Sequence, residues 1–274
     1  MFQSTHPDAE MHAAARAVGG SPVYISDQPD KHNFQLLKKL VLPDGSVLRC
    51  KGPGRPTRDV LFSDVNRDGK TALKLWNLNA VTGVLGVFNV QGARWDLKKR
   101  AFVTCDEPER IRYVLRPSDV EGIASAAPRG GEGRAQSYAL YSHRARRLQL
   151  LRHDEAHAAS LGRREWELFA VSPIRREGGV RWAPLGLMDM LNGGGAIVSS
   201  KLSSALRLVH ARVTLRASGT FSAYCQPPPL TIKINGVITP FTHDAETGML
   251  TVAMESPQML KSGVVSDAVR QRDI

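Results

Sequence analysis

Ile232-Lys233-Ile234-Asn235-Gly236-Val237-Ile238 decides how most of this chain is read. Two short apolar runs flank Asn-Gly, the dipeptide that accepts a left-handed backbone at both central positions of a type I′ hairpin turn. The same grammar extends outward from it. Upstream, Val209, Ala211, Val213 and Leu215 alternate with His210, Arg212 and Thr214, so one face of that strand is buried and the other wet. Downstream, Met249 to Met254 follows Thr247-Gly248 as a further strand. Leu73 to Trp76, Val84 to Phe88, Tyr138 to Ser142, Leu148 to Leu151 and Glu165 to Val171 are more short strands set between turn residues. From about Arg58 onward this pattern predicts a mostly antiparallel β-sandwich. The Ala-, Gly- and Arg-rich stretch from Glu121 to Gln136 reads as a mobile surface loop.

The first residues follow a different rule. Pro7 suits an early helical position, Asp8 and Glu10 favour the positive end of a helix, and Ala9 to Val18 is rich in the best helix former. Gly19-Gly20 ends that helix. Val23-Tyr24-Ile25 is wholly apolar, as a parallel strand covered on both faces would be. A loop with Pro29 leads to a second helix near Asn33 to Leu42, with Phe34, Leu37, Leu40 and Val41 at helical spacing. Helix, strand, loop, helix is the order of an α/β sheet or barrel.

The chain has 274 residues, 42% hydrophobic and 23% charged, which excludes disordered and fibrous classes. No apolar run reaches the ~18 residues of a membrane span, and Met1 to Glu10 carries no basic-then-apolar leader. Cys50, Cys105 and Cys225 form no CxxC pair. So sparse and odd a set suits a reducing compartment, and a cytoplasmic location is expected, with a plastid as the alternative. The formal charge of +11 is scattered. Its densest stretch, His143-Arg144-Ala145-Arg146-Arg147, lies between two apolar runs and reads as a solvated hairpin tip. Neither a membrane nor a nucleic-acid partner is expected.

The motifs are modest. Asp64-Val65-Asn66-Arg67-Asp68-Gly69 matches the first half of a calcium loop, but the twelfth position is Leu75, which cannot ligate, so a turn is expected. Pro53-Gly54-Arg55-Pro56 resembles the centre of a minor-groove hook and reads instead as a linker with fixed turns. None of the eight histidines forms a close metal set; His6 and His12, six apart, share a helix face poorly. Gly193-Gly194-Gly195 lacks P-loop spacing and reads as a turn between strands. Asp27 stands at the end of an apolar strand, where barrels and open α/β sheets place functional groups and where turns also place aspartates.

Several strings are more specific. Met1-Phe2-Gln3-Ser4-Thr5-His6-Pro7, then His12-Ala13-Ala14-Ala15-Arg16-Ala17, Pro22-Val23-Tyr24-Ile25-Ser26-Asp27, Leu36 to Ser46, Gly54 to Asp59 and Leu75-Trp76-Asn77-Leu78-Asn79 occur in order. Together they resemble the plant raffinose synthase and seed imbibition protein family, which also includes alkaline α-galactosidases. Tyr141-Ser142-His143, Glu165 to Phe169 and Ala183 to Leu187 agree with it. The resemblance implies that residues 1–57 are the last units of a (β/α)₈ TIM barrel and that 58–274 form a C-terminal antiparallel β-domain. It implies galactosyl transfer from galactinol to sucrose or hydrolysis of raffinose-type α-galactosides, with two carboxylates and neither cofactor nor metal. Both carboxylates are expected upstream of Met1, leaving no catalytic residue here. The chain is therefore expected to be a C-terminal fragment, a truncated gene model or a degenerate copy. Met1, Phe2, Gln3, Ser26 and Asp27 would line the mouth of the sugar pocket. The tail from Ser256 to Ile274 lacks the family's usual closing strand. A non-enzymatic basic binding module is the competing class.

Overall fold

Leu73–Leu78 pairs antiparallel with Gly83–Phe88, and Gly83–Phe88 with Trp166–Pro173. A computed structural model describes residues 2–104, 110–125, 137–206, 208–254 and 264–270 of the chain. In it those three strands are the centre of a six-stranded sheet. Arg55–Pro56 lies at one edge and the Ser137–Ser142/Arg147–Arg152 hairpin at the other. Strand residues alternate between faces, and here both faces are apolar. Val84, Phe88, Trp166 and Leu168 lie on one side, with Ala13, Ala14, Ala17, Val18, Leu36 and Leu40. Leu85, Val87, Phe169 and Val171 lie on the other, with Ile111, Tyr113, Leu115 and Leu161 from the Arg110–Leu115/His157–Gly162 hairpin.

Two five-stranded sheets follow. Arg175–Glu177, Val180–Leu187, Gly219–Gln226, Met249–Met254 and Thr242–His243 make one; Ile197–Ala205, Leu208–Leu215, Val264–Arg270, Thr231–Ile234 and Val237–Thr239 make the other. Trp182, Phe221, Ala223 and Val252 of the first share a core with Val209, Ala211, Val213 and Ile232 of the second. The Asn-Gly hairpin forms between Thr231–Ile234 and Val237–Thr239, with φ of 52° at Asn235 and 86° at Gly236, as a type I′ turn requires. Ala139, Tyr141 and Leu148 pack on Ala183, Leu185 and Tyr224, joining the six-stranded sheet to the first five-stranded one.

Four expectations are corrected. Residues 1–57 are not the end of a TIM barrel: no closed barrel and no parallel sheet occurs among the described residues. The parallel pairing there is an isolated bridge between Phe2 and Ile25. Val23–Ile25 is not covered on both faces, since Tyr24 is 60% exposed. Helix α1 (Ala9–Gly19), ended by Gly20, lays its alanine stripe on the antiparallel six-stranded sheet rather than on parallel strands. The second helix, α2, covers only Phe34–Leu37, capped by Asn33 Oδ1 accepting from Leu36 N at 3.1 Å. The tail does hold a strand: Val264–Arg270 pairs with both Leu208–Leu215 and Thr231–Ile234. Residues 126–136 of the expected loop and Cys105 lie outside the described residues.

Gly193-Gly194-Gly195 is a close-approach device. A Cβ on Gly193 would stand 2.2 Å from the carbonyl oxygen of Leu187, on rigid strand backbone. Gly193→Ala should therefore cost about 1–3 kcal/mol. Gly52→Ala, where a Cβ meets nothing within 4 Å, should stay within about 0.5 kcal/mol of wild type. Denaturant unfolding of the two variants checks this; equal midpoints would remove the close-approach argument.

Candidate functional site

The bridge between Phe2 and Ile25, with Ser26 N donating to Phe2 O at 3.0 Å, places Gln3 beside Ser26. The next residue of each segment locks them together. Asp27 accepts from Ser4 N at 2.6 Å and from Ser4 Oγ at 2.5 Å, and His32 Nδ1 lies 3.2 Å away. Ser4 Oγ in turn accepts from Asn33 N at 2.8 Å. The Asp27 side chain is fully shielded from solvent. The Ser4 hydroxyl bond, with His32 and the Ser4 N–H, holds its carboxyl below the usual aspartate range against the upward push of burial.

From Ser4 the chain turns into α1. Asp8 N donates to His6 Nδ1 at 3.0 Å, and Ala9 N to His6 O at 2.9 Å. This tight turn folds His6 back over the first turns of the helix, so its ring centroid lies 5.1 Å from that of His12. Phe2 stands edge-on to His12 at 6.5 Å. Phe2, Gln3, His6, His12, Arg16 and Ser26 thereby line one concavity of about 260 Å³. Burial, then His6 and Arg16, push the His12 imidazole below its ordinary value; Asp8 opposes them.

Of the sequence-predicted site residues, Phe2, Gln3 and Ser26 meet in this concavity. Asp27 stands behind it as a brace on Ser4, and Met1 lies outside the described residues. Helical spacing alone puts His6 and His12 on different faces. That rule fails because His6 precedes the helix, and Pro7-Asp8 marked that boundary. No carboxylate lines the concavity, and no group of three metal-ligating side chains occurs among the described residues.

The other motifs have internal duties. Asp68 is held by Lys70 N, Thr71 N, Thr71 Oγ1 and Gln91 Nε2; burial pushes its carboxyl up, but these bonds outweigh it and set it at about 2. At the basic hairpin tip, Arg144 donates to Trp166 O at 2.9 Å and Arg146 to Met188 O at 3.0 Å. His143 stacks on Trp166, and burial lowers its pKa to about 4. Arg55 sits over the Trp76 ring, 5.7 Å from its centroid.

A family model described as raffinose synthase or seed imbibition protein Sip1 matches residues 1–254. This chain belongs to that family. It is 42% identical over 261 residues to probable galactinol–sucrose galactosyltransferase 1 of Arabidopsis thaliana, covering 94% of this chain and 34% of that protein. It is 43% identical over 258 residues to galactinol–sucrose galactosyltransferase of Oryza sativa subsp. japonica, covering 92% and 32%. With stachyose synthase of Pisum sativum the identity is 36% over 241 residues, covering 86% and 27%. The chain thus spans about a third of the length of these family relatives.

Because Asp27 is depressed in the folded state, its contribution is present above the ordinary aspartate range and is lost as pH falls through the lowered folded pKa. Asp27→Asn should lower the melting temperature at pH 7, and the difference from wild type should shrink below about pH 4. Thermal melts across pH measure this. A pH-independent difference would mean that Asn disrupts packing rather than a charged hydrogen-bond acceptor.

Proposed function

We propose that this chain supplies one wall of the sugar site of an enzyme that transfers a galactosyl group from galactinol to sucrose. Family membership over residues 1–254 and 42–43% identity to galactinol–sucrose galactosyltransferases carry the reading. The gathering of Gln3 and Ser26 beside two imidazoles supports it. Transfer with retention needs one carboxylate to attack the anomeric carbon and a second, about 5–5.5 Å away, to protonate the leaving oxygen and then activate the acceptor. Among the described residues no carboxylate lines the concavity, and a single shielded Asp27 cannot act on both faces of the sugar. In this reading the pair belongs to the part of the relatives' length that this chain does not match. The chain then binds and orients sugar without breaking the bond. The relatives' names favour transfer to a sugar over hydrolysis.

Two assays test this. The isolated chain should neither release galactose from raffinose nor move it from galactinol to sucrose. A chimera in which this chain replaces the matching third of the rice relative should perform the transfer, and Gln3→Ala in that chimera should slow it. Turnover by the isolated chain, abolished by a substitution within it, would overturn the division of labour. A folded, inert chimera would overturn the transfer reading.

A further inference from the structure

We propose that the His6–His12 pair, with Gln3 and Ser26, forms a hydroxyl-gripping wall for an uncharged sugar ring, one imidazole donating and the other accepting. The inference deepens the reading of this concavity as a sugar site and rests on it. Its ground is the donor and acceptor inventory on the concave face. Asp8 N donates to His6 Nδ1, so the proton of a neutral His6 sits on Nε2, a donor. His12 is flanked by Phe2 edge-on and by the His6 ring. Its lowered pKa leaves it neutral near pH 7, so it keeps one acceptor nitrogen. The Gln3 amide and the Ser26 hydroxyl each offer both roles. An anion needs donors alone; a polyol, whose every hydroxyl both gives and takes, needs this mixture.

The wall has a built-in acid limit. Protonating His12 removes its acceptor nitrogen and sets a positive charge beside Arg16, with the His6 ring centroid 5.1 Å away. Asp8, whose carboxylate lies 4.0 Å from His6 Nδ1, offsets this only in part, and the other nearby carboxylates are engaged elsewhere. Asp8 is held by Arg164 at 3.3 Å, Glu10 faces Lys39 at 3.9 Å, and Asp27 is tied to Ser4 and His32 behind the wall. Acidification therefore adds a positive charge to the wall at His12 and takes away its acceptor.

The test uses the 274-residue chain, with the imidazole ring-proton resonances followed by NMR. Probes are raffinose as the uncharged saccharide and inorganic phosphate as the anion. Raffinose should shift both imidazoles at pH 7 and bind progressively more weakly toward pH 5, whereas phosphate should bind only in acid. His12→Ala should weaken raffinose about 5- to 10-fold, the loss of one hydrogen bond. His12→Gln, which keeps a donor and an acceptor without a titrating charge, should retain binding within about 3-fold and flatten the pH dependence. Backbone amide spectra verify that both variants fold. Phosphate binding at pH 7 without raffinose binding would overturn the proposal, as would unchanged raffinose affinity in His12→Ala. An inert chimera whose imidazoles still respond to raffinose would reject galactosyl transfer and leave the wall standing. An active chimera whose His12→Ala form binds raffinose as wild type would reject the wall alone.

Discussion

A sheet that is apolar on both faces has to be covered twice. Gly83–Phe88 and Trp166–Pro173, side by side in the middle of the six-stranded sheet, impose that demand. At roughly 1.5–3 kcal/mol for each large side chain taken out of water, neither face can be left open. The Arg110–Leu115/His157–Gly162 hairpin closes one face, and α1 with the segment around Leu36 and Leu40 closes the other. The N-terminal residues are thus bound to the β-structure by its own core. Their site geometry follows from it, because α1 carries His12 and Arg16 on the side away from the alanines that touch the sheet.

Tight packing of this kind favours protein partners for buried polar groups. Asn79 and Asn192 do this reciprocally, with Asn79 Nδ2 donating to Asn192 Oδ1 at 2.8 Å and Asn192 Nδ2 lying 3.1 Å from Asn79 Oδ1. The Asn192 amide also faces Leu48 O and Cys50 Sγ, both at 3.3 Å, so its two protons are shared among three acceptors. One amide pair therefore ties the N-terminal segment, the Asn79–Thr82 turn and the glycine run together. Burial pushes the Cys50 thiol up to about 12, which keeps it an un-ionised packing group rather than a nucleophile. Glu167 plays the same part at the hairpin tip, accepting from Arg144 N, Ala145 N and Leu168 N.

What was legible in the sequence was local. The Asn235-Gly236 turn, the alternation from Val209 to Leu215 and the helix over Ala9–Gly19 each depend on neighbours within a few residues, and all three form. The barrel end was not legible, because an apolar triplet such as Val23–Ile25 says nothing about which strands lie beside it. The same holds for α1: an alanine stripe fits a parallel or an antiparallel sheet equally well. The Val264–Arg270 strand was missed because Ser266, Asp267 and Arg270 mask its pairing capacity, which resides in the backbone. At the site, position in the sequence marks Asp27 but not the partner that its carboxylate meets. Its carboxylate is turned toward Ser4, a contact 23 residues away in sequence that periodicity cannot reveal.

The difference between Asp27 and the histidines explains how a chain of net charge +11 can present a concavity lined mostly by uncharged polar groups. Asp27 is ionised and enclosed, so its charge is consumed in holding Ser4, and through it the segment that carries Gln3. His12 is ionisable and half-buried, so its charge depends on the surroundings, which here favour the neutral ring. A carboxylate at the His12 position would reverse this, since burial would raise its pKa while the nearby Arg16 and His6 would favour its charged form. The concavity would then select cations. Placing the carboxylate one layer back gives rigidity without that selection, and leaves the front layer to hydrogen-bonding groups whose donor and acceptor roles suit an uncharged ring.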